Sequence, residues 1–178
     1  MRSYIYQAPF GKGSTQICEI KNSNEEIVGS IQRYYNSKLY SLLDFLIGKS
    51  NLFVRVKAKD ANGNMIINAI RKNYQWAKPD FYINFIGGDW EGVTFHARQL
   101  NNILINPEFT IKNDDIQITS KTAMLDWVRF YEGGQEIARW RSFAKKKYKT
   151  YIEIEKGASV QEPLFYVVLG HMLYFIGQ

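Results

Sequence analysis

Residues 163–176, PLFYVVLGHMLYFI, are apolar on every side of a helix. A helix without a polar face must be buried all round, so the sequence predicts a C-terminal helix that is enclosed by the rest of the fold. Helix-start signals precede it: Ser159 is predicted to cap the first amides, Glu162 to complement the helix dipole, and Pro163 to occupy the first turn. The rest of the chain must therefore enclose this helix.

A membrane anchor is the competing interpretation of the same stretch. A spanning helix needs about 20 apolar residues to cross the hydrocarbon core. Here the run is interrupted by Gly170 and His171 and ends at Gln178 without a basic flank. Length and flanks therefore favour a buried core helix.

The rest of the chain alternates between apolar and polar residues in the manner of β-strands. Residues 51–59 (NLFVRVKAK) alternate cleanly, and the Asn62-Gly63 pair that follows is the strongest short-range signal for a hairpin. Other turns are predicted at 21–25, 87–92, 112–115 and 133–134. Strand candidates lie near residues 3–8, 15–20, 26–35, 40–47, 51–59, 65–71, 80–86, 93–99, 108–112, 115–120, 126–132, 135–143 and 148–154. Because a sheet of roughly a dozen strands usually closes or splits, we expect a mainly β fold: a closed antiparallel barrel of about twelve strands around the helix.

Composition favours a single domain over residues 1–178. The 178-residue chain is 46% hydrophobic and has no composition shift or low-complexity linker that would mark a boundary. The first residues, MRSYIYQAPFGKG, lack the apolar stretch of a signal peptide. Cys18 is the single cysteine, which excludes an internal disulfide and fits a small buried side chain. We therefore expect a cytoplasmic protein.

The order of these elements resembles a known family. Its matching parts are the hairpin at 17–31 (ICEIKNSNEEIVGSI), the hairpin at 53–72 with its Asn-Gly turn, and the pair at 123–141 (AMLDWVRFYEGGQEIARWR) before the apolar helix. In this pattern the chain resembles the tubby C-terminal-like superfamily, which includes LURP-one-related proteins and phospholipid scramblases. The resemblance implies a barrel threaded by its C-terminal helix and a phospholipid-binding role. The phosphoinositide-binding and calcium-binding residues of those proteins do not map onto particular positions of this chain.

No catalytic constellation is apparent. The two histidines, His96 and His171, have no neighbouring Cys, His or acidic cluster with metal-ligand spacing, and His171 is expected to be a hydrogen-bonded core residue. The stretch 60–64 (DANGN) has its glycine at the wrong position for a calcium loop, so a turn explains it better. We therefore expect neither enzymatic activity nor a metal or cofactor.

Charge provides the best functional clue. The net charge is +6, and residues 139–149 hold six cations and no Asp or Glu. In a hairpin, Trp140, Ile152 and Ile154 would point inward, with aromatic Phe143 and Tyr151 on the outer side. A surface of basic residues with neighbouring aromatic residues is typical of proteins that bind anionic lipid head groups. The sequence thus predicts peripheral binding of anionic phospholipid or phosphoinositide at the inner membrane surface, through Arg139, Arg141, Lys145, Lys146, Lys147 and Lys149.

Several alternatives remain open at this stage. The same lysines could simply keep a solvated sheet edge from aggregating. The chain could also be a protein-interaction or scaffold domain. Nucleic-acid binding is less favoured because Trp127 and Trp140 are expected in the core, and lipid translocation is weaker still because the apolar helix is committed to the barrel. Further outward charges are predicted at Arg55, Lys57, Lys59, Arg71 and Lys72, and the sequence leaves open whether they lie on the same side.

Overall fold

A computed structural model of the protein describes residues 1–9, 13–37, 39, 42, 55–72, 80–101, 106–122, 126–143 and 148–176. Within these ranges, twelve strands and a C-terminal helical segment make up most of the regular structure, and residues 39 and 42 are also helical. The strands are β1 (Arg2–Gln7), β2 (Ile17–Asn22), β3 (Ile27–Arg33), β4 (Arg55–Asp60), β5 (Met65–Arg71), β6 (Asp80–Phe85), β7 (Thr94–Gln99), β8 (Phe109–Lys112), β9 (Gln117–Thr122), β10 (Val128–Glu132), β11 (Gln135–Phe143) and β12 (Lys149–Ile154).

These strands form one closed barrel. Each strand pairs with its neighbour in sequence, and β1 pairs with β12 to close the ring. All of the pairings are antiparallel, and at the closure Tyr4 lies opposite Ile152. Closure pairs both edges of every strand, which removes the exposed edges that promote aggregation. The predicted fold class is therefore confirmed.

Alternation along the strands decides which side chains fill the barrel. In β6, Phe81, Ile83 and Phe85 are buried and Tyr82 between them faces outward. Successive side chains of a strand point to opposite faces of the sheet, so each strand contributes alternate residues to the interior. Apolar side chains from all twelve strands meet there.

The C-terminal helical segment lies inside this ring. Helix α1 (Pro163–Leu169) continues directly into a π-helical turn, Gly170–Ile176. The six residues from Leu164 to Leu169 are all buried, and α1 contacts β3, β4, β5, β11 and β12. The Phe165 ring lies 4.8 Å from the Phe95 ring and 5.8 Å from the Phe85 ring, centroid to centroid. The predicted burial of an all-apolar helix is confirmed for these residues.

The start of α1 differs from the prediction. Glu162 is the N-cap, and its Oε1 accepts a hydrogen bond from the Leu164 N–H at 3.0 Å. Ser159, which was predicted to cap the helix, instead hydrogen-bonds the Glu132 carboxylate through its hydroxyl at 2.6 Å. The prediction failed because Ser159 lies too far upstream of Pro163, while Glu162 immediately precedes it and its side chain can fold back onto the first free amide.

Close packing between the helical segment and the wall depends on two glycines. A Cβ on Gly170 would overlap the Trp140 indole ring of β11. A Cβ on Gly29 of β3 would lie 2.9 Å from Leu164 Cδ2 and would also overlap the Lys59 carbonyl. Only glycine permits these approaches, so the helix and the barrel are fitted to each other at both places.

His171 is buried in the π-helical turn, as predicted. Its Nδ1 lies 3.4 Å from the Tyr6 hydroxyl, which also accepts a hydrogen bond from Trp140 Nε1 at 3.4 Å. Burial, with a smaller contribution from the Arg33 charge, lowers the pKa of His171 to about 3. The imidazole is therefore neutral at physiological pH and belongs to a small polar cluster inside the barrel.

Two further sequence predictions concern individual segments. The predicted turns at 21–25, 60–64, 87–92, 112–115 and 133–134 all lie between paired strands. The strand predicted near 40–47 falls outside the described residues except at Leu42, which is helical and not extended. In the part of the chain that the structure covers, no helix has both the length and the apolar character needed to cross a bilayer.

Candidate binding surface

The hairpin of β11 and β12 carries the predicted basic residues on its outer side. Trp140, Ile152 and Ile154 are buried as predicted. Arg139, Arg141 and Lys149 occupy the alternating outward positions, together with Phe143 and Tyr151. In the register of the two strands, Arg141 lies opposite Tyr151 and Phe143 lies opposite Lys149. These five residues are called the β11–β12 face below.

Aromatic rings and cations interleave on the β11–β12 face. The Arg141 guanidinium lies 4.4 Å from the centroid of the Phe143 ring, and Lys149 Nζ lies 5.7 Å from the centroid of the Tyr151 ring. The two rings meet edge to face at 5.6 Å. Such contacts hold the cations near the surface and orient them without neutralising their charge.

Trp127, immediately before β10, borders this face and was not predicted as a surface residue. It was expected in the core, but its side chain is only half-buried and its ring lies 4.9 Å from the Arg139 guanidinium. Trp127 immediately precedes the buried Val128, so strand alternation places it on the outer side. The sequence signal was available, because an inward Val128 predicts that its neighbour Trp127 points outward.

Carboxylates from neighbouring strands partly offset the positive charge. Arg139 forms an ion pair with Glu153, which lies opposite it on β12. On β10, Arg129 contacts Asp126 at 3.1 Å and Glu136 at 3.6 Å. Residues 139–149 lack acidic residues in sequence, but the fold brings Glu153 against Arg139, so the surface is less basic than the sequence run suggests.

The lysines at 145–147 lie outside the described residues. The ends of the stretch that contains them are joined by a backbone hydrogen bond of 2.9 Å, in which the Tyr148 N–H donates to the Phe143 carbonyl. Their role in binding remains a prediction from the sequence.

The additional charges predicted on the 55–72 hairpin lie on a different wall of the barrel. Arg55, Lys57 and Lys59 lie on β4, which is five strands from β11 by way of β12, β1, β2 and β3, and seven strands by the other way around the barrel. The outward Arg55, Lys57 and Lys59 therefore do not extend the β11–β12 face. Arg71 is not an outward charge, because it shares the interior side of β5 with Ala69 and its guanidinium lies 5.9 Å from the centroid of the buried Phe81 ring.

Other titratable side chains of the described residues lie in local pairs and turns. Among the described residues, no group of three or more His, Cys, Asp or Glu is placed to hold a metal ion. His96 pairs with Asp80 and stacks on Tyr82 at 4.7 Å between centroids. In the 60–64 turn, Asp60 accepts hydrogen bonds from its own loop, including the Asn64 side chain, which lowers the pKa of that carboxyl.

Comparison with protein-family models decides the family. A model described as the tubby C-terminal like domain matches residues 4–176, which is nearly the whole chain. The chain belongs to the tubby C-terminal-like domain family. The tubby C-terminal-like fold is a non-catalytic binding fold. Searches of curated proteins and of solved structures found no match.

Proposed function

We propose that this tubby C-terminal-like domain is a non-catalytic module that binds anionic phospholipid, including phosphoinositide, at the cytoplasmic surface of a membrane. Binding would use the β11–β12 face and the lysines at 145–147, with no metal or cofactor. The carrying observation is the outward placement of Arg139, Arg141 and Lys149 beside two aromatic rings. The family's association with phosphoinositide binding supports the same function.

The chemistry of the face suits a lipid surface. Each well-placed Lys or Arg near an anionic leaflet contributes about 1 kcal/mol, and the contribution decreases within a Debye length. Trp127 and Tyr151 are half-buried and belong to the two residue types enriched in the head-group region, and the apolar Phe143 ring lies against Tyr151. The β11–β12 face therefore combines an electrostatic attraction with an interfacial anchor.

Nucleic-acid binding is less well supported. Binding of single strands depends on aromatic rings on which bases can stack. Each of the three rings at this surface already has a cation near it: Arg139 at Trp127, Arg141 at Phe143 and Lys149 at Tyr151. The rings are therefore engaged with the protein's own cations.

Charge reversal on the β11–β12 face tests the proposal. The double variant Arg141→Glu/Lys149→Glu should bind vesicles containing phosphatidylserine or phosphoinositide about 30-fold more weakly, since two contributions of about 1 kcal/mol are lost. Reversal of the lysines at 145–147 should have a similar or larger effect. The matched control, Lys57→Glu/Lys59→Glu, changes the net charge equally on another wall and should retain vesicle binding. Equal loss in both double variants, with the fold intact, would show that only net charge matters.

A further inference from the structure

A second basic surface lies on the outer side of β3, β4 and β5. Along β4, Arg55, Lys57 and Lys59 alternate with the buried Val56 and Ala58, so all three cations point away from the core. Gln32 of β3 and Asn68 of β5 flank Lys57 on its two sides. Lys72 follows the end of β5 and is exposed. The outer side chains of these strands, with Lys72, are called the β3–β5 wall.

The β3–β5 wall has almost no negative charge of its own. Asp60 is the only carboxylate within the three strands, and it accepts hydrogen bonds from the Asn62 and Asn64 amides of its own turn at 2.9 and 2.8 Å. Among the described residues, no carboxylate forms an ion pair with Lys57, Lys59 or Lys72. This wall thus differs from the β11–β12 face, where Glu153 pairs with Arg139.

The cations on β4 have a regular spacing. Alternate residues of a strand are about 6.6–6.8 Å apart, so Arg55, Lys57 and Lys59 present positive charges at that repeat. An extended polypeptide has the same repeat between its alternate side chains. A partner segment with Asp or Glu at every second position would therefore match all three cations in register.

Two aromatic side chains that border the wall, Tyr34 and Tyr82, contact its polar groups. The Tyr34 hydroxyl donates a hydrogen bond to Asn68 Oδ1 at 2.7 Å, and Lys57 Nζ lies 5.5 Å from its ring centroid. Tyr82 of β6 lies next to Lys72, whose Nζ is 3.9 Å from the ring centroid, and stacks on His96. The Tyr34 hydroxyl already has a hydrogen-bond partner, and the Tyr82 ring is contacted by both His96 and Lys72. Neither ring is therefore well placed for base stacking or for insertion into a bilayer, which favours a polypeptide partner.

The position of the wall also separates it from a bound membrane. Because β4, the middle strand of the wall, lies four strands from β12 and five from β11 by the shorter way around the barrel, a flat bilayer against the β11–β12 face leaves the cations of β4 directed away from the lipid. We propose that the β3–β5 wall binds an extended acidic segment of a partner protein, with carboxylates at alternate positions. The orientation away from lipid rests on the proposed function, but the charge pattern does not.

A synthetic peptide of alternating glutamate and serine, labelled with a fluorophore, is the probe for this proposal. Fluorescence anisotropy at low salt should show binding that weakens about tenfold in Lys57→Glu/Lys59→Glu, a change typical of losing two exposed ion pairs and gaining repulsion. Lys57→Gln/Lys59→Gln should weaken peptide binding by a smaller factor. Because this variant removes the two positive charges without adding carboxylates, a loss of affinity in it cannot come from misfolding caused by new carboxylates. Arg141→Glu/Lys149→Glu is the matched control and should bind the peptide as the wild type does.

A second peptide tests the spacing. It has the same composition with all glutamates in one block, and it should bind several-fold more weakly than the alternating peptide. Equal affinity for both peptides, or equal loss in the two double variants, would overturn the proposal. The wild type and Lys57→Glu/Lys59→Glu should also be compared for binding to phosphatidylserine vesicles and to oligothymidylate. If the variant loses binding to one of these and not to the peptide, the wall is a lipid or nucleic-acid surface and the proposal is wrong. The peptide titration contains no vesicles, so its outcome is independent of the lipid-binding test.

Discussion

Replacing His171 by asparagine should remove an acid-sensitive component of stability. In the folded chain the pKa of His171 is lowered to about 3 by burial and by the Arg33 charge, against an ordinary value of 6.5. Above pH 6.5 the imidazole is neutral in both the folded and the unfolded chain and contributes no pH dependence. Below pH 6.5 the unfolded chain takes up a proton that the folded chain does not, so stability falls as the pH falls towards 3.

The size of the effect follows from the two pKa values. One pH unit corresponds to 1.36 kcal/mol, so at pH 5, which is 1.5 units below 6.5, the wild type should lose about 2 kcal/mol relative to pH 7 through this residue alone. His171→Asn keeps an acceptor near the Tyr6 hydroxyl but cannot titrate, so it should lack this component.

Urea denaturation of both proteins at pH 7 and pH 5 measures the difference. The free energy of unfolding of the wild type should fall by about 2 kcal/mol more than that of His171→Asn over this interval. Other titrating groups contribute equally to the pH dependence of the free energy of unfolding in both proteins, so their contributions cancel in the comparison. Parallel behaviour of the two proteins would refute a neutral, buried His171 and with it the enclosure of the π-helical turn in the barrel.

Three further substitutions give distinct outcomes. Gly170→Ala should destabilise the fold by about 1–3 kcal/mol in urea denaturation, because its methyl group would overlap the Trp140 ring. Tyr166→Phe should stabilise it by about 1 kcal/mol, because the buried Tyr166 hydroxyl has no hydrogen-bond partner among the described residues. Glu153→Gln should strengthen binding to anionic vesicles about fivefold in sedimentation, because it leaves the Arg139 charge available at about 1 kcal/mol.

Two of these substitutions have a control, and each of the three has an outcome that would contradict it. Tyr174→Phe removes a hydroxyl that does have a partner, Ser120 Oγ at 2.6 Å, and should cost about 1 kcal/mol. Stabilisation by both tyrosine variants would contradict the hydrogen-bonding pattern. An unchanged midpoint for Gly170→Ala would contradict the close approach of Trp140. Glu153→Gln should leave binding to neutral vesicles unchanged, and an equal increase there would argue against an electrostatic cause.

The general architecture could be predicted because it follows from patterning. A helix with no polar face requires an enclosure, and a series of alternating strands joined by short turns supplies one. The positions of inward and outward residues on β11 and β12 followed from the two-residue period alone, as Trp140 and Ile152 show. The Glu162 cap was missed because several residues upstream of Pro163 are plausible caps, and only the three-dimensional path decides among them.

The register between neighbouring strands could not be predicted. The Gly133-Gly134 turn places Glu132 opposite Gln135, and an unbroken register would continue to Arg129 opposite Ala138. A β-bulge between Phe130 and Tyr131 shifts the register by one residue. Since a one-residue slip changes every cross-strand contact, the sequence alone did not show which charges meet on the outer surface.

The placement of the second basic strand was also beyond sequence reasoning. Lys57 and Lys59 were predicted to point outward, and they do. Their distance from Arg141 depends on how many strands lie between β4 and β11 in the closed ring, which is a property of the whole topology. Only the barrel separates the charges into two walls that can be tested independently.

Co-sedimentation with vesicles is the most direct test of anionic-lipid binding by this domain. The protein should sediment with vesicles that contain phosphatidylserine or phosphoinositide, and not with neutral vesicles, at about 50 mM salt, and the bound fraction should fall strongly at about 300 mM as the charges are screened. Binding that is equal on neutral vesicles, or no binding at either salt concentration, would contradict an electrostatic lipid-binding function for the β11–β12 face.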